Sequence, residues 1–398
     1  MTGKIKQAAI LAGGLGTRLK PFTDNLPKPM VSVNNKPFME YLVDMLRKNG
    51  IEEIVPLLGY LPEKIIDYFG DGSKFGVRMN YSVGDVSFET GKRIKHAQSI
   101  LDDNFLLIYG DNYWPMNLDK MVNFYNNLGV DASVTIYNNR FGLAEYGPEN
   151  NVHVSEDGHI LNYDRTRTSP NLNGVDMGFF LLNRNILDSM PDSNFSFEKE
   201  MFPRLIDSKQ LGGFRTDHRY FFITTPETLK ITERFLDPKK VVFLDRDGVI
   251  NKNAPEYDYV KSWDEFEFLP GSIEAIRKLN KNKFQVYLFT NQQGVNRGII
   301  SMGDVNNIHQ NMIQELSAEN ARINGIYVCP HRRDENCFCR KPQPGMLYQA
   351  SNEHLVDLTK SIVIGDKETD IEAGKIVGAK TFLVSEKKSL LDIVNEII

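Results

Sequence analysis

From residue 7 onward, short continuous apolar runs alternate with stretches whose apolar residues recur every three or four positions. QAAILAGG, EEIVPLLG and VRMNYSV have the form of strands, and PFMEYLVDMLRKNG and YLPEKIIDYFG between them the form of amphipathic helices. The alternation continues through NFLLIYGD (104–111), a helix near Leu118–Asn127 and the strand DASVTIYN. A hairpin-like NVHVSEDGHILNYD follows, turning at Asp157-Gly158, then the strand VDMGFFLLN and the helix-like PETLKITERF. Uninterrupted apolar strands separated by helices predict a doubly wound α/β sheet covered on both faces.

After LDPKK the pattern restarts with VVFLDRDGVIN. It predicts a strand over 241–245, a helix over 272–280, the strand FQVYLFT, a helix over 304–318 and the strand GIYV, then a helix over 345–354 and the strands SIVIGD and TFLV. This too is a mainly parallel sheet, whose ligands are expected at the strand C-termini. A chain of 398 residues exceeds the size at which one core keeps growing, so two domains are expected, 1–236 and 237–398.

Composition narrows the classes. A hydrophobic fraction of 41% with 25% charged residues is that of a soluble globular protein. A formal net charge of −5 offers no basic field for a phosphate backbone, so nucleic acid is not an expected partner. The first apolar run is too short for a secretory segment and no stretch reaches the length of a membrane span, which points to a cytoplasmic enzyme. The three cysteines all fall between Cys329 and Cys339, an arrangement suited to a metal rather than to disulfides. The oligomeric state stays open, a homo-oligomer among the options.

In VVFLDRDGVIN an apolar strand delivers Asp245 and Asp247 two residues apart at its end. Hydrolysis of a phosphomonoester needs a nucleophile, a proton carrier for the leaving oxygen and a cation. Further strand ends supply Thr290 and Asn291 as donors and Asp366 as an acid, while RKPQPG supplies the cations Arg340 and Lys341.

Together the segments FLDRDGVIN, TNQQGVNRG, CPH, CxCRKPxPGM and IGDKETD resemble the D-glycero-D-manno-heptose 1,7-bisphosphate phosphatases and related histidinol phosphatases, of the haloacid dehalogenase (HAD) type, over 240–385. The resemblance implies a HAD-like Rossmannoid domain. In it Asp245 attacks phosphorus, and Asp247 protonates the leaving group and then activates water. Mg²⁺ would sit between Asp245, the Asp247 carbonyl and Asp366. Thr290 and Lys341 would stabilise the transferring phosphoryl group and Arg340 would contact substrate. Gln292, Gln293 and Lys367 are further candidates for phosphate or sugar contacts, and Asp370 is either a supporting acid or the first-turn carboxylate of its helix. Cys329, His331, Cys337 and Cys339 form CxH followed by CxC, a four-ligand set suited to a closed structural Zn²⁺ site that would fix the loop carrying Arg340 and Lys341.

At the other end of the chain, LAGGLGTRLKPFTDNLPKPM follows the first strand, its glycines open to close approach by phosphate and its cations Arg18 and Lys28 nearby. It has neither P-loop nor GxGxxG spacing. It resembles the GGxGTRLxPxTxxxPKP signature of the sugar-1-phosphate nucleotidylyltransferases over about 1–230. That resemblance implies a glycosyltransferase-A-like nucleotide-binding sheet domain. Leu11, Ala12, Gly13 and Gly14 would surround the nucleotide, with Gly16, Thr17 and Arg18 around its triphosphate. Lys28 would bind phosphates, and Asp111 would hold a second Mg²⁺.

Three departures stand out. The family's second metal carboxylate near RYFFITTPETL is missing, where the chain has Phe222, Ile223, Thr224 and Thr225. One carboxylate suffices, or Asp217 substitutes, or transfer is impaired. Arg165 in YDRT stands where the family has a lysine. Thr90 and Arg93 in ETGKRIKHA resemble the base-contacting stretch of glucose-1-phosphate cytidylyltransferases, so CTP stands beside GTP.

A heptose bisphosphate phosphatase releases a sugar 1-phosphate and a nucleotidylyltransferase consumes one. The paired resemblance therefore implies a bifunctional enzyme making an NDP-heptose, with GDP-D-glycero-D-manno-heptose for surface polysaccharide favoured. The alternatives are a CTP-dependent transferase fused to a phosphatase for another sugar or polyol phosphate, and an N-terminal nucleotide sensor regulating the phosphatase.

Overall fold

A computed structural model describes residues 3–255 and 258–398. The chain divides between Leu236 and Asp237 into two compact units, each with its own core.

The first unit is built on an eight-stranded sheet. Its order is Leu211–Thr216, Ala132–Tyr137, Val175–Asn183, Asn104–Tyr109, Gln7–Ala12, Glu53–Leu58 and Arg78–Met79, with Ser82–Val83 also paired to Glu53–Leu58. Gln7–Ala12 is central because Ala8, Ala9 and Ile10 are fully buried, as a strand covered on both faces requires. All pairings are parallel except those of Val175–Asn183, which runs antiparallel to both its neighbours and carries a register shift between Asp176 and Phe180. Flanking helices bury one stripe each: Phe38–Lys48 puts Phe38, Met39, Leu42, Val43, Met45 and Leu46 inside and leaves Arg47 and Lys48 outside. Strand order reverses between Gln7–Ala12 and Asn104–Tyr109, so the loops that follow these two strands flank a crevice.

The second unit has five strands, all parallel, ordered Gly325–Cys329, Phe284–Asn291, Lys240–Leu244, Ile362–Gly365 and Lys380–Leu383. The switch point falls between Lys240–Leu244 and Ile362–Gly365, the strands that end at Asp245 and Asp366. The helix Met302–Ala318 starts at a capping box in which Ser301 and Asp304 satisfy each other's backbone N–H groups. Among the described residues, no helix is long and apolar enough to cross a membrane.

Candidate active sites

At the switch point of the second unit, Asp245 is 5% exposed, and its backbone N–H donates to Ile364 O at 3.0 Å. Lys341, 4% exposed, comes in from the loop before the helix Gly345–His354. Its Nζ lies 2.8 Å from Asp245 Oδ1 and 2.6 Å from Asp370 Oδ1, and donates to Phe289 O at 3.1 Å. Burial pushes the Asp245 carboxyl up to about 7, with Lys341 pulling the other way and Asp370 adding to the rise. Burial also raises Asp366 above the usual carboxylate range. Asp370 does two jobs: one oxygen accepts the Lys367 backbone N–H at 3.0 Å and caps the helix Glu368–Ile376, and the other meets Lys341.

Oxygens of Asp245, Asp366 and Asp370 lie within 4.8 Å of one another. Asp366 Oδ2 accepts from Asn253 at 2.9 Å, but Asp366 Oδ1 is buried without a hydrogen-bond partner among the described residues. A buried oxygen with no donor beside two further carboxylates fits a divalent cation.

Of the remaining candidates on this unit, Thr290, Asn291 and Gln292 are tied to Asp247 and Lys341. Thr290 is 1% exposed, and its Oγ1 accepts from Gln292 Nε2 at 2.9 Å. Gln292 also donates to Asp247 Oδ2 at 2.8 Å. Asn291 Oδ1 accepts the Lys341 backbone N–H at 3.2 Å, fixing the loop that brings in the lysine. Gln293 Oε1 is buried without a hydrogen-bond partner among the described residues, and Lys367 is exposed. Arg340 donates from Nη1 to His331 O at 3.0 Å, which ties it to the cysteine loop rather than leaving it free.

In that loop Cys329, His331, Cys337 and Cys339 converge, with sulfur and Nδ1 separations from 3.2 to 3.7 Å. A tetrahedron with Zn–S bonds of 2.3 Å has edges of about 3.8 Å, so the donor set is close to the spacing zinc requires.

On the first unit, the loop after Gln7–Ala12 passes Gly13 and Gly14, then turns at Gly16, whose φ of 63° suits glycine, into the short turn Thr17–Leu19. Leu19 is fully buried and anchors that turn, while Thr17 and Arg18 stay exposed. Arg18 Nη1 is 3.0 Å from Glu145 Oε1. Leu11 and Ala12 end the strand beneath the loop. Lys28 Nζ lies 2.5 Å from Asp111 Oδ2, which joins the glycine-rich loop segment to the next strand end across the crevice. Phe222 pairs with Asn112, and the Ile223 N–H donates to Asp111 O at 3.1 Å. The position opposite Asp111 is therefore filled by the fully buried Ile223, not by a carboxylate. Asp217 is turned to other partners, accepting from Asn138 Nδ2 and Arg140 Nε, each at 2.9 Å.

Thr90 and Arg93, expected at the nucleotide base, have structural partners instead. Thr90 Oγ1 accepts the Phe197 backbone N–H at 2.8 Å. Arg93 is 4% exposed and donates to the carbonyls of Leu58, Asp85 and Phe88. Its guanidinium fills the hollow under Gly13 and Gly59, where an added Cβ would lie 2.3 Å and 2.7 Å from it. The physical reason is this glycine-made space: Arg93 braces the loop from below and does not project into the crevice. Arg165 is exposed, in a turn whose backbone N–H groups at Thr166, Thr168 and Ser169 are all held by the Asp164 carboxylate.

Two features are all but silent in the sequence. Asp176, on Val175–Asn183, stands beside Tyr163, Arg167 and Tyr220, and burial pushes it up to about 6. Its Oδ1 accepts the Gly178 N–H at 2.8 Å. The other is the wholly buried Arg246 between the two aspartates of the second unit, with His309 behind it. An acid inside the apolar run VDMGFFLLN is the only hint the sequence offers for the first.

A nucleotidyl transferase family model matches residues 7–218, more than half of the chain, and a HAD-hydrolase-like model matches 338–393. The chain belongs to the nucleotidyl transferases through its first unit, and through its second to the HAD-type phosphatase family that includes two curated relatives. One is the D-glycero-alpha-D-manno-heptose-1,7-bisphosphate 7-phosphatase of Mycobacterium tuberculosis, 42% identical over 139 residues, covering 35% of this chain and 73% of that protein. The other is the D-glycero-beta-D-manno-heptose-1,7-bisphosphate 7-phosphatase of Haemophilus influenzae, 42% identical over 147 residues, covering 35% of this chain and 77% of that protein. Among solved structures, HddC from Yersinia pseudotuberculosis complexed with GMP-PN is 26% identical, covers 57% of this chain and 97% of its own, and has a TM-score of 0.48. The protein is thus a fusion of a nucleotidyl transferase with a HAD-type phosphatase.

Proposed function

We propose that the chain carries out two consecutive steps, removing the 7-phosphate of a D-glycero-D-manno-heptose 1,7-bisphosphate and transferring a nucleotidyl group to the heptose 1-phosphate that results. The observation that carries the first step is the buried Asp245–Lys341–Asp370 constellation with a donorless Asp366 oxygen beside it, in a unit 42% identical to heptose bisphosphate 7-phosphatases. Asp245 forms a bond to phosphorus, the phosphorus–oxygen ester bond breaks, and the ester oxygen leaves with the electron pair and takes a proton from Asp247. Water, deprotonated by Asp247, then releases phosphate from the aspartyl-phosphate. Lys341 and Thr290 stabilise the phosphoryl oxygens, and Arg340 with Gln293 and Lys367 lines the sugar side. Asp245, Asp366 and the Asp247 carbonyl would hold Mg²⁺, which when bound offsets the charge of the phosphoryl group. Cys329, His331, Cys337 and Cys339 would hold Zn²⁺, which when bound would fix the loop that carries Arg340 and Lys341.

In the transferase, Gly13, Gly14 and Gly16 bring backbone N–H groups to an NTP, Arg18 and Lys28 meet its phosphates, and Asp111 would hold the second Mg²⁺. GTP is favoured for the heptose product and CTP stands beside it; the Thr90 and Arg93 side chains, which suggest CTP by resemblance, hold backbone groups in this structure. The oxygen of the sugar 1-phosphate attacks the α-phosphorus and pyrophosphate leaves. A second reading, a nucleotide sensor, is supported by the apolar Ile223, rather than a second carboxylate, at the position opposite Asp111. Both are tested by measuring phosphate release from the heptose bisphosphate and pyrophosphate release from each of the four NTPs with heptose 1-phosphate. Release of both products supports the two-step reading. Nucleotide binding with no pyrophosphate supports the sensor, and no phosphate release overturns the first step.

A further inference from the structure

The helix Met302–Ala318 turns one stripe into the core of the second unit: Val305, Ile308, His309, Met312 and Leu316. His309 is the one polar member of that stripe, at 5% exposure. Its Nε2 lies 3.3 Å from Nη1 of Arg246, which has no exposed surface at all. A guanidinium can only donate, so Nε2 must be the acceptor and the imidazole is neutral, with its proton on Nδ1. Burial first, then the charge on Arg246, holds His309 well below its ordinary range, at about 3, in agreement with that assignment.

The other side of the same guanidinium grips Asp247. Nε reaches Oδ1 at 3.1 Å, while Nη2 reaches Oδ1 at 2.9 Å and Oδ2 at 3.0 Å. Asn251 adds a bond to Oδ1 at 2.9 Å and Gln292 one to Oδ2 at 2.8 Å. A planar fork fixes a carboxylate only while its own plane is fixed. An apolar side chain at 309 would leave Arg246 Nη1 facing the core without this acceptor.

We infer that His309 is a positioning residue of the phosphatase, a buried neutral acceptor that locks the Arg246 guanidinium and through it the orientation of the Asp247 carboxyl. His309 acts on the ester only through that pair. The inference rests on the phosphatase reading, in which Asp247 hands its proton to the leaving oxygen as the ester bond to phosphorus breaks.

The leaving group provides the test. A p-nitrophenolate departs without a proton, whereas the alkoxide of a primary alkyl phosphate needs one, so loss of Asp247 alignment must fall on the alkyl ester. In the full-length chain, kcat/KM is measured for p-nitrophenyl phosphate and for the best primary alkyl ester of a sugar phosphate panel. His309→Leu keeps the volume and removes the acceptor, and His309→Gln places an oxygen near the position of Nε2. Arg246→Lys keeps the charge, loses the fork and provides a second route should His309→Leu fail to fold. His309→Leu and Arg246→Lys are expected to lower kcat/KM on the alkyl ester about 10- to 100-fold and on the aryl ester less than about threefold. His309→Gln is expected to recover most of the loss. Equal loss on both esters, no loss on either, or no recovery with glutamine overturns the inference. A wild-type protein inactive on every ester instead overturns the phosphatase reading itself, and Asp245→Asn sets the background for both.

Discussion

Asp176→Asn should stabilise the first unit, and only above a defined pH. Asp176 has a raised pKa of about 6 in the fold against an ordinary value of 3.8, with burial as the first cause. That rise corresponds to about 3 kcal/mol of destabilisation once the carboxyl is ionised in both states. The side chain is only part-buried, so solvent screening brings the expected gain to about 1 to 3 kcal/mol. The sign follows from linkage. Below pH 3.8 the carboxyl is protonated folded and unfolded, and the substitution changes nothing through this route. Between 3.8 and about 6 the unfolded chain ionises while the folded one resists, so wild-type stability falls relative to the variant. Above about 6 the difference is constant. Asparagine keeps an oxygen for the Gly178 N–H, so that bond survives. The chain has two tryptophans, Trp114 in the first unit and Trp263 in the second. Urea unfolding followed on Trp114 fluorescence, in a Trp263→Phe background, therefore reads the first unit alone. A difference independent of pH between 4 and 8, or a variant less stable at pH 8, would refute the reasoning.

Lys341→Met leaves Asp245 and Asp370 buried without their shared cation, and should cost about 3 to 5 kcal/mol in unfolding of the second unit, read on Trp263 in a Trp114→Phe background. The same change should abolish phosphate release while pyrophosphate release persists. Cys337→Ser removes one of four donors, so zinc measured by elemental analysis should fall from one per chain toward none and phosphatase activity should fall with it. Zinc content unchanged in that variant would remove the loop's assigned role. Gly13→Ala should weaken nucleotide binding at least about tenfold by calorimetry, since an added Cβ would lie 2.3 Å from the Arg93 guanidinium and the loop must shift.

Much of the fold is legible in the sequence because strands buried on both faces must be continuous apolar runs, and QAAILAGG, NFLLIYGD and VVFLD are such runs. Strand ends are legible for the same reason, which is why Asp111, Asp245 and Asp366 stand out. Pairing partners are not. That Val175–Asn183 enters antiparallel between two parallel neighbours, or that Phe221–Phe222 meets Asn112–Tyr113, depends on contacts between distant segments that leave no local period. The burial of Arg93 is not legible in the sequence, because the hollow that receives it is made by two glycines far away along the chain. His309 is hidden for another reason: it falls on the period of an apolar stripe, and its partner Arg246 lies 63 residues earlier.

The central claim, that one chain performs consecutive phosphatase and transferase steps, is tested most directly by ³¹P NMR of a single reaction. The full-length protein is mixed with D-glycero-D-manno-heptose 1,7-bisphosphate, GTP and Mg²⁺. Inorganic phosphate should appear first, followed by pyrophosphate and the paired resonances of GDP-heptose. Asp111→Asn should stop the reaction after phosphate release, and Asp245→Asn should stop it before any product forms. Phosphate without pyrophosphate from the wild-type chain under every NTP, or pyrophosphate undiminished in Asp111→Asn, would contradict the account.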